Sequence, residues 1–558
     1  MDGSIFVDHI SQQVVLASTH RAFEINEILF SILQNCNKQT LACCVQVSHL
    51  WLEGGLDVLW REVANIEDLL KPLGGVVERS RTIKVFDCDL GNYENDQAET
   101  FYEFSSMPTH KQWIKFQQRY ASRIHALRFA LTENNKHKTL CLVNLLRSIR
   151  FSGPILPNLR TIYWDNLSGK GLEEPFLAFV HEDIQQLVLK DTGDYSLGKV
   201  ITLETIPSCM PCLTELIVKL PTIEEYVLPL TNIVKGLKSL QSLTLPSNGL
   251  KAVPSLFGLR KLKKLRILGN HGPFMASQLP RSTGPGKSRD YFPALEALEI
   301  HCEYEAVSNL LCQEFHCLTM IQISCTDSGG KSVEVQNILF KISAFCPCIS
   351  KIELIMRRNR GKLPSPTRCT TEHQLSLTAF RPILTNSSIS SFTLQRMLPL
   401  EFGLRDMTTI SSAWPRLRSL YLCYSPIMSS FGSNIGLEAL LPFASNCPDL
   451  EELGLFVDAK SSDTTFDWRA PPSSFRRLRI LDVGKSVIAQ DAEGAVAQFL
   501  SLVCTPGCII RYYDPGISGY FMAKRWKAVN DMLPHLFSLR LWYERRMVYE
   551  LGMAERSA

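Results

Sequence analysis

No stretch of this 558-residue chain approaches the ~20 consecutive apolar residues that a membrane helix needs, so no membrane span is expected. The first twenty residues hold no basic n-region, and Val14 to Ala17 is far shorter than the apolar core of a secretory signal. Phosphate-loop (G-x-x-x-x-G-K-[ST]), zinc-protease (H-E-x-x-H) and nucleophile-elbow (G-x-S-x-G) motifs are all missing. The run GPGKS from Gly284 to Ser288 lacks the leading glycine spacing of a phosphate cradle. Twelve histidines are dispersed without a pair or cluster, so no catalytic residue, metal or cofactor is expected. The 18 cysteines lack the regular spacing of a small secreted scaffold and read as reduced, mostly buried thiols. Cys209 and Cys212 have the spacing of a redox or zinc pair, yet no second pair accompanies them; they read as core packing, as do Cys346 and Cys348. These absences describe a soluble, non-enzymatic protein of the cytoplasm or nucleus.

What is present is ordinary globular material, 45% hydrophobic and 20% charged, in a chain long enough for several domains or a repeat array. The net charge of +4 is unevenly spread. Residues 1–70 hold three basic and nine acidic groups, a balance of −6 that leaves +10 for the remainder, so the two parts are expected to meet different partners.

In the acidic part, Ile25, Ile28, Leu29, Ile32 and Leu33 follow the spacing of one helix face. Leu41, Cys44, Val45 and Ser48 trace a second helix, flanked by Val47 and Trp51 and ended by Gly54-Gly55. A third places Leu56, Leu59, Trp60 and Val63 on one face. Three helices in so few residues make a marginal core, which a partner helix would complete. The runs EILFSIL (27–33), LACCVQVSHLW (41–51) and LDVLWREV (56–63) resemble an F-box of the divergent kind found in large fungal families, with Ile25-Asn26 in place of the usual Leu-Pro. The resemblance implies docking onto a Skp-type adaptor, and through it onto a cullin–RING ubiquitin ligase. The side chains it assigns to that contact are Ile25, Ile28, Leu29, Ile32, Leu33, Leu41, Val45, Val47, Trp51, Leu59 and Trp60.

Past residue 120 one phrase keeps returning: apolar, two variable, apolar, one variable, apolar. It reads IHALRF (124–129), LRTIYW (159–164), IQQLVL (184–189), LTELIV (213–218), LQSLTL (240–245) and LKKLRI (262–267). It continues as LEALEI (295–300), LTMIQI (318–323), ISKIEL (349–354), ISSFTL (389–394), LRSLYL (417–422), LEELGL (450–455) and LRILDV (478–483). The mean period of about 30 residues lies near the leucine-rich-repeat range, and the phrase resembles that repeat. Each unit would place its apolar positions inward at a turn and a short strand, and stacking would share one core. Loop-forming insertions at 269–290, 357–368 and 460–474 are expected on the rim.

The fold class expected is therefore α/β. An extension (1–22) precedes an F-box-like three-helix module (23–64), a connecting segment (65–120), an irregular leucine-rich-repeat solenoid (121–516) and a C-terminal helical cap (517–558). The cap comprises a tail whose helical segments break near Pro534, preceded by a helix over 491–503 and a last strand at 508–513. Residues 226–289 contain eleven Lys or Arg and no acid, and 354–371 contain five more with none. From these runs Lys263, Lys264, Arg266, Arg357, Arg358 and Arg360 are candidates for holding an acidic or phosphorylated target, with a solvated face as the simpler reading. Nucleic acid is not expected, because no reader motif or aromatic-interleaved platform is visible. The expected function is that of a ligase substrate receptor, with a stand-alone repeat scaffold as the alternative.

Overall fold

The computed structural model describes residues 25–87, 92–130, 133–148, 153–165, 177–190, 195, 197–247, 256, 258–269, 292–325, 331–356, 375–396, 398–426, 433–459, 473–513 and 520–557. The chain forms two compact units, residues 1–244 and 245–558.

The first unit begins with helices α1 (Asn26–Gln34), α2 (Lys38–Cys44) and α3 (His49–Leu59). Polar side chains set two of their starts. Asn37 accepts from the Thr40 amide, and Ser48 accepts from that of Trp51, each satisfying an N–H that helix geometry leaves without a partner. The second helix therefore stops before Val45, and Ser48 opens the third. Gly54-Gly55, expected as a helix stop, lies inside α3. A methyl group on Gly54 would stand 3.2 Å from the Leu33 side chain, and one on Gly55 would overlap Val45. These glycines allow helices to approach; they do not end one. Val63, expected on a helix face, belongs instead to strand β1 (Glu62–Val63).

After an antiparallel hairpin of β2 (Val76–Asp87) and β3 (Asn92–Phe104), the chain enters a parallel ladder. Strand β1 pairs with β4 (Ala126–Ala130), followed in order by β5 (Thr161–Asp165), β6 (Gln186–Lys190), β7 (Glu215–Lys219) and β8 (Ser242–Pro246). The ladder thus opens with a strand that precedes the first repeat phrase. Register aligns Leu127, Ile162, Leu187, Leu216 and Leu243 in one column and Phe129, Trp164, Leu189 and Val218 in a second. Every one of these side chains is buried.

In the second unit the same construction runs through β9 (Lys264–Leu268), β10 (Ala297–Cys302), β11 (Met320–Cys325), β12 (Lys351–Met356), β13 (Ser391–Gln395), β14 (Ser419–Leu422) and β15 (Glu452–Leu455). The last ladder strands are β17 (Ile480–Gly484) and β19 (Ile509–Tyr512), and β16 (Asp458–Ala459) and β18 (Val487–Ile488), which follow β15 and β17 in the chain, form a separate parallel pair. Each of the thirteen repeat phrases becomes a strand that starts two residues after the phrase does. The leading apolar residue, such as Leu262, Leu295 or Leu318, is buried just ahead of it. The columns Leu265–Leu298–Ile321–Ile352–Phe392 and Ile267–Ile300–Ile323–Leu354–Leu394 show why stacking is required: each strand's inward residues are covered by those of its neighbours.

Helices complete the repeats. In Ser332–Phe345 the buried positions Val335, Ile338, Leu339 and Ile342 form one stripe, the spacing that lets a helix cover a sheet. The expected helix near 491–503 is Glu493–Val503, and the expected last strand is β19. The tail is one helix, Tyr520–Ser557, with Pro534 inside it rather than two segments broken there. Contacts on both sides of the proline hold it to the rest. Trp526 Nε1 donates to the Ser486 carbonyl (2.9 Å), and the Arg540 guanidinium donates to the Ser501 and Leu502 carbonyls (2.8 and 2.9 Å) at the end of Glu493–Val503. Among the described residues no helix is long and apolar enough to cross a membrane.

Candidate functional site

The structure divides the eleven candidates of the helical module into two groups. Leu29, Leu33 and Leu41 form its core, with Trp51 and Leu59 packed against them. Val45 is half-buried under α3, and Trp60 packs against Tyr120 with the rings tilted and their centroids 4.7 Å apart. These side chains hold the module together or tie it to its surroundings. A second tie comes from Arg123, which donates to the Glu53 carbonyl (3.1 Å) and forms ion pairs with the Glu53 and Asp57 carboxylates. Burial disfavours the Arg123 cation, but its bonds to those two acids outweigh this and raise its pKa above the ordinary arginine value.

The other group faces outward. Ile25, Ile28 and Ile32, at i, i+3 and i+7, are 47%, 40% and 37% exposed. Val47 is 66% exposed, and Leu50, which sequence reasoning passed over, is 37% exposed. Helix α1 is thus apolar on two faces: leucines fill the module's core and isoleucines lie in solvent. Burying one large aliphatic side chain is worth about 1.5–3 kcal/mol, so three aligned isoleucines left in water constitute a substantial reserve of binding energy.

On the outward side of the second unit's sheet, the cations proposed from sequence meet acids from the next repeat. Lys263 pairs with Glu296 (3.2 Å), and Arg266 pairs with Glu299, which also meets His301 Nε2 (3.1 Å). Lys264 is exposed beside them. The acid-free run reads as strongly basic along the chain, whereas in the ladder its neighbours are Glu296, just ahead of β10, and Glu299 within it, each thirty-three residues on. Arg357, Arg358 and Arg360 lie outside the described residues.

Farther along the same face the outward positions become aromatic and acidic. The Tyr421 hydroxyl donates to Glu452 (3.0 Å), its ring meets that of Tyr424 edge-on at 5.3 Å, and it lies over Gly454, where any side chain would collide with it. Burial, reinforced by the Glu452 charge, pushes the Tyr421 phenol well above its usual range. Burial also raises Asp482, against the opposing pull of the Gly484 amide and the charge of Arg511. Lys485, its pKa lowered by burial, donates to the Pro426 carbonyl (3.0 Å) and sits 5.0 Å from the centre of the Tyr513 ring. Sequence reasoning missed this cluster. The signal was in the middle outward position of consecutive phrases, Tyr421, Gly454 and Asp482, which register places side by side.

Among the described residues no group of three or more His, Cys, Asp or Glu could hold a metal. Sixteen cysteines are described, all free, and seven are buried, fewer than the sequence reading expected. Cys346 is buried, while Cys212 and Cys348 are exposed and Cys209 half-buried, so the two spaced pairs are not core packing throughout.

No family model matches the chain, and no curated protein does. Among solved structures, the chain is similar to one in the crystal structure of the Rad7–Elc1 complex of yeast, at 15% identity over 91% of this chain and 98% of that one, with a TM-score of 0.36. A Bacteroides fragilis protein is similar at 14% identity over 54% of this chain and 88% of that one, with a TM-score of 0.27.

Proposed function

We propose that the protein is the substrate receptor of a Skp–cullin–F-box ubiquitin ligase, recruiting the adaptor through its N-terminal helices and a target protein through the outward face of its repeats. The observation that carries the reading is the double-faced helix α1, whose leucines complete a local core while Ile25, Ile28 and Ile32 remain exposed. Of the three runs that resemble an F-box, the first lies in α1, the second runs from α2 into the start of α3, and the third covers the end of α3 and β1; an apolar partner helix laid along the isoleucines would bury what the small module cannot. The receptor would perform no chemistry. Its contribution would be proximity, holding a target lysine at high effective concentration near a charged conjugating enzyme.

The test is binding of purified Skp-type adaptor to the full chain and to an Ile28→Asp, Ile32→Asp variant. Both substitutions lie on the exposed face, so the variant should keep its helical circular dichroism and melting temperature while adaptor capture falls at least tenfold. Absence of capture by the wild-type chain would leave the second reading, a repeat scaffold without ligase association.

A further inference from the structure

The second unit's ladder ends in a tight joint between a helix and a strand. Helix Glu493–Val503 stops at Cys504, whose amide donates to the Leu500 carbonyl (2.8 Å), and β19 begins directly after Cys508. Between the two cysteines lie Thr505, Pro506 and Gly507. The Cys508 amide donates to the Thr505 carbonyl (3.0 Å), and Gly507 has φ +86°, the signature of a type II turn with proline and glycine at its centre. The Thr505 hydroxyl donates to the Leu478 carbonyl, which pins the turn beside the residues that lead into β17. Such a turn brings its first and last Cα atoms within about 7 Å, and Cys504 stands immediately before it. Disulfides span Cα separations of roughly 4.4–6.8 Å. The sulfurs already meet, the Cys504 thiol donating to Cys508. That bond, with burial behind it, holds the Cys504 thiol well above its usual range. Cys504 is 1% exposed and Cys508 7%.

We propose that Cys504 and Cys508 are a dithiol that hydrogen peroxide converts reversibly to a disulfide, clipping the last strand of the ladder to the helix before it. Cys508, the more exposed of the two and the acceptor of the thiol hydrogen bond, gives its proton to solvent and attacks one peroxide oxygen as the thiolate. The O–O bond breaks, leaving a sulfenic acid and a hydroxide that solvent protonates to water. Cys504 then loses its proton and attacks the Cys508 sulfur. The S–S bond forms, the S–O bond breaks, and the departing hydroxide takes that proton as a second water. Two thiols and one peroxide become a disulfide and two waters, with sulfur oxidised and peroxide oxygen reduced. Peroxide is hardly larger than water, so it reaches a sulfur that bulkier reagents do not. Cys447, buried as deeply, donates instead to the Ser411 and Trp414 carbonyls (3.6 and 3.5 Å) and serves as an internal control.

The experiment treats the folded full chain with hydrogen peroxide, quenches with catalase, denatures it in iodoacetamide and maps the tryptic peptides by mass. Trypsin releases residues 486–511 as one peptide that holds these two cysteines and no other. After oxidation this peptide should be lighter by two hydrogens and take up no alkyl group, and dithiothreitol added before the alkylation should restore both sites. Cys447 should be alkylated throughout. Cys504→Ser removes the second thiol, so dimedone should capture a sulfenic acid at Cys508 in that variant and not in the wild type. The amides of β19 should exchange more slowly in the oxidised chain than in the reduced one. Two alkyl groups on the 486–511 peptide, at a peroxide concentration that oxidises the exposed Cys348, would overturn the proposal. So would a disulfide joining that peptide to a different cysteine, or β19 amides indifferent to oxidation.

Discussion

At the scale of single residues, burial decides what each thiol and each carboxylate does. Burial pushes Cys346, Cys423 and Cys447 each up to about 12, from an ordinary value of 9.0. A thiol kept neutral in the fold but free to ionise when unfolded contributes stability that is present in full below about pH 9 and is lost as pH rises toward 12. Iodoacetamide at pH 8 should accordingly label Cys43, Cys212, Cys312, Cys317 and Cys348, and should leave the three buried thiols unmodified until the chain is denatured. Mass mapping checks this directly. Leu298 and Glu299 give the second residue-scale prediction. Leu298 is 1% exposed between two leucine-like columns, so Leu298→Asp strands a charge in the core and should cost several kcal/mol, enough to unfold the second unit. Its neighbour Glu299 is held between Arg266 and His301. Glu299→Lys should therefore be felt, although at a partly exposed pair its cost stays below about 1 kcal/mol, and the two melting temperatures should differ widely.

Among the elements, the helices show most clearly how packing reverses a local preference. Replacing a mid-helix glycine by alanine normally stabilises by about 0.5–1 kcal/mol. Gly494, near the start of Glu493–Val503, has open space where a Cβ would go, and Gly494→Ala should follow that rule. In α3 the added methyl of Gly55→Ala would collide with Val45, so the sign should invert, with a loss of about 1–3 kcal/mol of the kind seen on overpacking. Thermal melts of the two variants, with hydrogen exchange localising the loss to residues 26–59, would separate the effects. The strands behave differently. Their apolar positions come two residues apart because successive side chains alternate sides, and neighbouring repeats impose the same alternation, so local pattern and packing agree.

For the whole molecule, a stack of repeats is stable only where its ends are closed. Strand β19 ends the second unit's ladder, and the terminal helix buries Trp526 and Val529 while Arg525 donates to the Ile488 carbonyl (2.8 Å). Each repeat depends on its neighbours, so opening the end should propagate inward. A chain truncated before Tyr520 should melt at lower temperature, bind a hydrophobic dye and lose amide protection first in β17 and β19. Trp526→Ala in the full chain should cost about 3–5 kcal/mol by leaving a cavity and an unsatisfied Ser486 carbonyl. Truncation without loss of protection in those strands would mean that the ladder closes itself.

The sequence by itself determined the inward half of this protein. Thirteen phrases of fixed spacing specified thirteen strands, their buried columns and their order, because a period of two residues written in leucine and isoleucine admits one burial pattern and only stacking can satisfy it. It also located the leucine face of α1. The outward half was decided in three dimensions. Whether Lys263 and Arg266 form a basic patch depends on Glu296 and Glu299, which parallel pairing sets beside them. Whether Trp60 or Ile28 faces a partner depends on Tyr120, which covers the tryptophan and not the isoleucine. Apolar burial leaves a periodic trace along the chain, since every inward residue answers to the same core. Charge pairing and surface exposure depend on which distant residue arrives alongside, and that is a property of the stack.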